Sequence, residues 1–149
     1  AMADAALGAE QHPVARTSRY RADREFSSPQ EAIALSAMYG ANHFPEVRGL
    51  ACLTEQGTTP TMMSRLSSGL PIFALSRRPD TLQRLALCRG VIPLFFDFAA
   101  FSPQDLEART VEFLVDGGFL SRGDFILMTM GSTQGEAGKT DLMKILPVK

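Results

Sequence analysis

Tryptophan is missing from the 149-residue sequence, and cysteine and histidine occur only twice each. Two cysteines cannot build a disulfide framework. Cys52 and Cys88 have apolar neighbours and read as small buried hydrophobes in a reducing compartment. His12 and His43 lack Cys or His partners at metal-ligand spacing, so no zinc centre and no other metal site is expected. No apolar run approaches the roughly 20 residues of a membrane-spanning helix, and no charged-then-apolar leader opens the chain. The net charge is -1, which gives no broad attraction to nucleic acid or to an acidic membrane. No G-x-S-x-G nucleophile elbow, internal repeat or low-complexity tract is present. With 45% apolar and 21% charged residues, the composition suits one ordinary globular domain with a buried core.

The hydrophobic patterning has a clear order. Residues Ala1 to Ala9 are alanine-rich and helix-prone; Gln11 to Glu25, with Pro13 and several arginines, show no period and read as a connector. Ser28-Pro29-Gln30-Glu31 is a capping box: Ser28 accepts from the Glu31 backbone, Pro29 suits the first turn, and Glu31 reaches back. Ile33, Ala37, Ala41 and Phe44 recur on one face, which predicts a helix from about Pro29 to about His43, ended by Pro45.

Short apolar runs then alternate with helical patterns. Leu50–Leu53, Ile72–Leu75, Val91–Phe96, Phe125–Met128 and Met143–Leu146 are five strand candidates. The first four are continuous rather than alternating, as strands covered on both faces are. Thr59-Pro60, Pro79 and Ser102-Pro103-Gln104-Asp105 open helices between them. The Pro79 helix carries Leu82, Leu85 and Ala86 on one face, and the last helix closes at Gly117-Gly118. The predicted fold is α/β: a three-layer αβα arrangement around a mostly parallel five-stranded sheet with right-handed crossovers. The segment from Gly131 to Thr140 is too short and glycine-rich for a crossover helix, so the last strand is expected antiparallel.

Two constellations can carry chemistry. Thr54-Glu55-Gln56-Gly57-Thr58-Thr59-Pro60 leaves the first strand and enters a helix, where ligands of open α/β sheets sit. Free N–H groups, a close-approach Gly57 and the Thr54, Thr58 and Thr59 hydroxyls make a cradle for a phosphate; a plain βα turn capped by Thr59 has the same residues. The second is the loop Gly131 to Thr140, in which Gly131, Ser132, Gly135, Gly138, Lys139 and Thr140 suit a flexible cover for an anionic ligand. Gly138-Lys139-Thr140 is not a nucleotide-binding P-loop, because Thr133 stands where that motif needs glycine and a strand pattern follows. Arg77 and Arg109 are weaker candidates for reaching the same ligand.

At these residues the sequence resembles the pyruvate kinase family, in its C-terminal regulatory part and of the bacterial type activated by AMP or sugar monophosphates. The resemblance runs over nearly the whole chain. Leu7-Gly8-Ala9-Glu10 resembles the end of the last helix of the catalytic barrel, and Glu31 to Tyr39 the helix that opens the C-terminal domain. Thr54-Glu55-Gln56-Gly57 is similar to the family loop T-E-S-G-R-T, Ser64 to Ala74 to the segment around the second strand, Arg89-Gly90-Val91-Ile92-Pro93 to R-G-V-x-P, and Ser121-Arg122-Gly123-Asp124 to the S-G-D turn.

The resemblance implies that residues 1–27 are a remnant of the last barrel helix plus linker and that 28–149 are the C-terminal domain. It implies that Thr54, Gln56, Gly57, Thr58 and Thr59 hold the phosphate of an allosteric effector, a sugar monophosphate or AMP, with Gly131 to Thr140 closing over the sugar. Two departures stand out: Gln56 replaces the family serine and Thr58 the family arginine, a strong phosphate partner. The implied partners are the effector, the catalytic domain of the same parent chain, and further copies in a cytoplasmic homotetramer. The catalytic residues and their Mg2+ and K+ would lie in the barrel, leaving this piece without cofactor and inactive in phosphoryl transfer.

Overall fold

The computed structural model describes residues 25–66, 68–131 and 139–149. The expected barrel-helix remnant therefore lies almost wholly outside the described residues. The first helix, α1 (Pro29–His43), has Ser28 as N-cap in extended conformation, with its side chain accepting from Glu31 N. The reach-back of Glu31 goes one residue further out than a capping box requires: its carboxylate accepts from Ser27 N at 2.7 Å and from Ser27 Oγ at 2.6 Å. The buried face is Ala34, Ala37, Met38 and Ala41, with Glu31 at its start. Phe44 is instead the C-cap, 37% exposed and edge-on to Phe125, because the helix has already ended when the chain reaches it.

Strand β1 (Val47–Leu53) leads to α2 (Thr58–Ser64), β2 (Ile72–Ser76), α3 (Pro79–Leu85), β3 (Val91–Phe95) and a 3₁₀ turn (Phe98–Ala100). Then come α4 (Leu106–Asp116), β4 (Phe125–Met130) and β5 (Leu142–Pro147). The strand order is β3-β2-β1-β4-β5, parallel throughout except for the antiparallel β4–β5 pair.

Strands β1, β2 and β4 are almost wholly buried because helices cover both faces. One core joins α1, α2 and α3 to Leu50, Cys52, Ile72, Ala74 and Leu127. The other joins α4 and the 3₁₀ turn to Ala51, Leu53, Phe73, Leu75, Ile126 and Met128. Successive residues of each strand point to opposite cores, and the three layers follow. Complete burial of a side chain such as Phe73 or Leu50 is worth about 1.5–3 kcal/mol.

The start of α4 and the buried face of α3 differ from the sequence expectation, and β1 begins at Val47 rather than Leu50. α4 begins at Leu106, not at Ser102; residues 103–105 form a turn in which Ser102 Oγ donates to the Asp105 carboxylate. On α3 the buried residues are Thr81 and Leu85, with Ala86 exposed, since the helix is too short to turn a third residue inward. At the end of α4, Gly118 takes φ +79 and Phe119 N donates to Leu114 O, the left-handed stop that Gly117-Gly118 announces.

Candidate functional site

Connections from β1 run outward through α2 to β2 and through α3 to β3, then return across the other face to β4. Strands β1 and β4 are thus adjacent, while the helices that follow β1 and precede β4 lie on opposite faces. This is the crossover point of an open α/β sheet, outside whose carboxyl ends ligands bind. Both sequence-predicted segments leave the sheet here: Thr54 to Gly57 follows β1, and Gly131 follows β4.

The β1–α2 turn is tightly built. Thr54 N continues the ladder by donating to Leu75 O, and Thr54 Oγ1 accepts from Gly57 N at 2.8 Å. Gly57, not Thr59, is the N-cap of α2; its φ of +81 needs glycine, and an added Cβ would lie 3.2 Å from the Leu85 side chain. Thr61 closes the first helical bond to Gly57 O with its N–H and adds its hydroxyl at 2.7 Å. Among the described residues, no acceptor is paired with the N–H of Thr58 or Thr59, which the helix start leaves unclaimed.

Residues with no signal in the sequence brace the turn. Gln30 of α1 donates its amide to Thr59 Oγ1 at 3.0 Å, and Thr59 Oγ1 donates to Thr140 Oγ1 at 2.8 Å. From α3, Thr81 Oγ1 donates to Glu55 O at 2.7 Å, and Arg84 donates to Gln56 O at 3.2 Å. The partners of Gln30, Thr81 and Arg84 lie 26 to 29 positions away along the chain, beyond any local pattern. Nothing but tertiary packing brings them to the turn.

Of the predicted residues, Thr54, Gln56, Gly57, Thr58, Thr59 and Thr140 come together here. Thr54, Gly57, Thr59 and Thr140 are buried, Thr58 is half-buried and Gln56 is exposed. Gly131 ends the β4 side and Lys139 is exposed on the return. Ser132, Gly135 and Gly138 lie outside the described residues. Arg77 is turned to Glu55, its Nε 2.8 Å from the carboxylate, so its charge is already matched within the turn. Arg109 pairs with Glu112 and lies over the Phe101 ring, in the α4 layer on the other face of the sheet.

The neighbouring β2–α3 turn makes a useful contrast. Asp80 stands in the first turn of α3, whereas α2 has no acidic residue in its first turn. Desolvation pushes the Asp80 pKa up, but the charge of Arg78 and the hydrogen bonds from Arg78 and from the Asp80 and Thr81 backbones outweigh it and hold the carboxyl below its ordinary value. Away from the turns, burial pushes the Cys52 thiol up to about 12 against a smaller opposing effect of Thr129. Cys52 stays a neutral thiol, with its Sγ 3.3 Å from Met63 Sδ; Cys88 is only half-buried. Among the described residues, no group of three His, Cys, Asp or Glu side chains could hold a metal ion.

At the sheet's edge, β5 is the least buried strand. Ile145 pairs with Leu127 and Met143 with Thr129, so both project toward the α1 layer, 47% and 41% exposed. On the opposite face, Lys144 pairs with Glu107 of α4. Tyr39, 63% exposed, stacks on His43 along α1.

Residues 31–146 match the family described as "Pyruvate kinase, alpha/beta domain". The chain is 45% identical over 149 residues to pyruvate kinase II of Salmonella typhimurium, all of it aligning with 31% of that protein. It is 44% identical over 149 residues to a pyruvate kinase of Haemophilus influenzae, all of it aligning with 30% of that protein. Against a pyruvate kinase of Naumovozyma castellii the identity is 30% over 150 residues, covering 95% of the chain and 30% of the relative. The chain thus spans about a third of the length of these relatives.

Proposed function

The chain belongs to the pyruvate kinase family as its C-terminal α/β domain, and from that premise we propose that it is an effector-binding domain whose ligand is a sugar monophosphate or AMP. The phosphate is held by Thr54, Gln56, Gly57, Thr58 and Thr59, with Thr140 beside them. The observation that carries this reading is the 2.8 Å contact between Thr59 and Thr140, which joins the two segments at the sheet's crossover point. The missing acid in the first turn of α2, with N–H groups at Thr58 and Thr59 that no described residue accepts from, supports an anion from outside. Thr58 supplies no cation where the family has arginine, and Gln56 replaces the family serine. Arg77 is matched by Glu55, so Arg84, which reaches Gln56 O, is the guanidinium beside the turn.

The effector acts by binding one quaternary state of a cytoplasmic homotetramer better than another, a coupling typically worth about 1–3 kcal/mol. Transfer of a phosphoryl group from phosphoenolpyruvate to ADP, with Mg2+ and K+, belongs to the whole enzyme and its barrel. Isothermal titration of the folded chain with glucose 6-phosphate, ribose 5-phosphate and AMP tests the reading. At least one gives heat that Thr59→Val abolishes; no heat from any of the three rejects it.

A second reading, assembly without a ligand, rests on the apolar edge. β5 ends the sheet, and Met143 and Ile145 lie exposed on the side of α1, which carries exposed Tyr39. An open strand edge beside apolar side chains suits pairing with a second copy. Sedimentation would show a dimer that Ile145→Lys dissociates; a monomer at all concentrations would exclude it for this chain.

A further inference from the structure

Thr59 is 1% exposed and Thr140 7% exposed, so the contact between their hydroxyls is closed to solvent. A hydroxyl has one proton and two lone pairs. Gln30 donates into a lone pair of Thr59, which directs the single Thr59 proton away from α1, and Thr140 receives it. We propose that Thr140 is a built-in stopper of the effector site and that Gln30 is the positioning residue that keeps the Thr59 proton aimed at it. An anion at the turn gains the Thr59 donor only by displacing Thr140. Because Asp141 N donates to Met130 O at the first rung between β4 and β5, displacement of Thr140 loosens that rung. Occupancy of the turn is therefore coupled to the start of the edge strand that carries Met143 and Ile145.

This inference rests on the effector reading above, and the test separates the two. The full chain is titrated with inorganic phosphate against chloride at equal ionic strength. Amide shifts at Gly57 and Thr59 report binding, and hydrogen exchange at Asp141 reports the stopper. Phosphate is expected to speed Asp141 exchange in the wild type. Thr140→Val is expected to bind phosphate about three- to tenfold more tightly, the scale of one competing hydrogen bond, with Asp141 exchange already fast before phosphate is added. Thr140→Ser keeps the hydroxyl and behaves as wild type, while Gln30→Leu, which no longer aims the Thr59 proton at Thr140, is expected to speed Asp141 exchange before phosphate is added. Binding with unchanged Asp141 exchange overturns the stopper and leaves the effector reading intact; this arm needs no variant. Equal or weaker binding by folded Thr140→Val also overturns it. No amide shift with phosphate, glucose 6-phosphate, ribose 5-phosphate or AMP overturns both readings, even if Thr140→Val still loosens Asp141.

Discussion

The β1–α2 and β2–α3 turns are neighbours of similar build. Each leaves a largely buried parallel strand and enters a seven-residue helix with a proline among its first three residues. They differ in how the positive end of the helix is met. α3 brings its own anion: Asp80, held ionised by Arg78 and by backbone N–H groups. α2 brings none and offers Thr58, Thr59 and Thr61 behind a left-handed glycine. One helix start carries its own carboxylate as folded, and the other carries none. Arg77 and Glu55 tie the two together, so the acid in the first turn cancels a cation of the second rather than filling its own helix start.

The contrast can be broken or sharpened by substitution. Gly57→Ala should have the largest effect, because a Cβ at φ +81 is strained and meets Leu85 at 3.2 Å. The expected loss is about 1–2 kcal/mol, read from the denaturation midpoint, and the effector heat goes with it. A variant as stable as wild type would show that the left-handed cap is not what shapes the turn. Thr58→Asp comes next: it gives the first helix the internal carboxylate that the second already has. Effector binding should weaken at least about tenfold while stability changes by under about 1 kcal/mol. Undiminished heat of binding would mean that the ligand sits elsewhere.

Asp80→Asn is the smallest and cleanest change. The folded-state pKa of Asp80 is lowered, so its contribution to stability is present above the unfolded pKa and is lost as pH falls through the folded one. Wild type should therefore exceed Asp80→Asn in stability near neutral pH, and the two should converge in acid. Parallel curves across the pH range would remove Asp80 from the comparison.

Much of the architecture was legible in the sequence because each strand is a short apolar run bounded by proline or glycine. Ser28-Pro29-Gln30-Glu31 marked the first helix start, and Gly117-Gly118 marked the last helix end. The misread positions are those where local and tertiary preferences compete. Ser102-Pro103 carries a helix-start signal, yet the residues after it form a turn and Leu106 is the first helical residue packed in the core. Thr59 has the chemistry of an N-cap, yet Gly57 takes the cap, and the Thr59 hydroxyl is drawn to Gln30 and Thr140 instead. At the candidate site, the residues that follow β1 were readable as one contiguous motif. Gln30, Thr81 and Arg84 were not, because they come from other helices and only the folded sheet delivers them. Arg77 and Arg109 were plausible by charge alone, but their carboxylate partners Glu55 and Glu112 could be identified only in three dimensions.

The pairing of β1 with β4 also bears on how the domain reaches its native state. Ala51 sits beside Met128, so the middle of the sheet closes only after more than half of the described chain has passed between them. Such a non-local seam slows folding. During synthesis, β1, β2 and β3 can assemble early, leaving the β4-facing side of β1 an open edge until the final segments emerge. An edge left open in this way is a site for wrong pairing. Refolding should show its slowest phase in the protection of β1 and β4 amides.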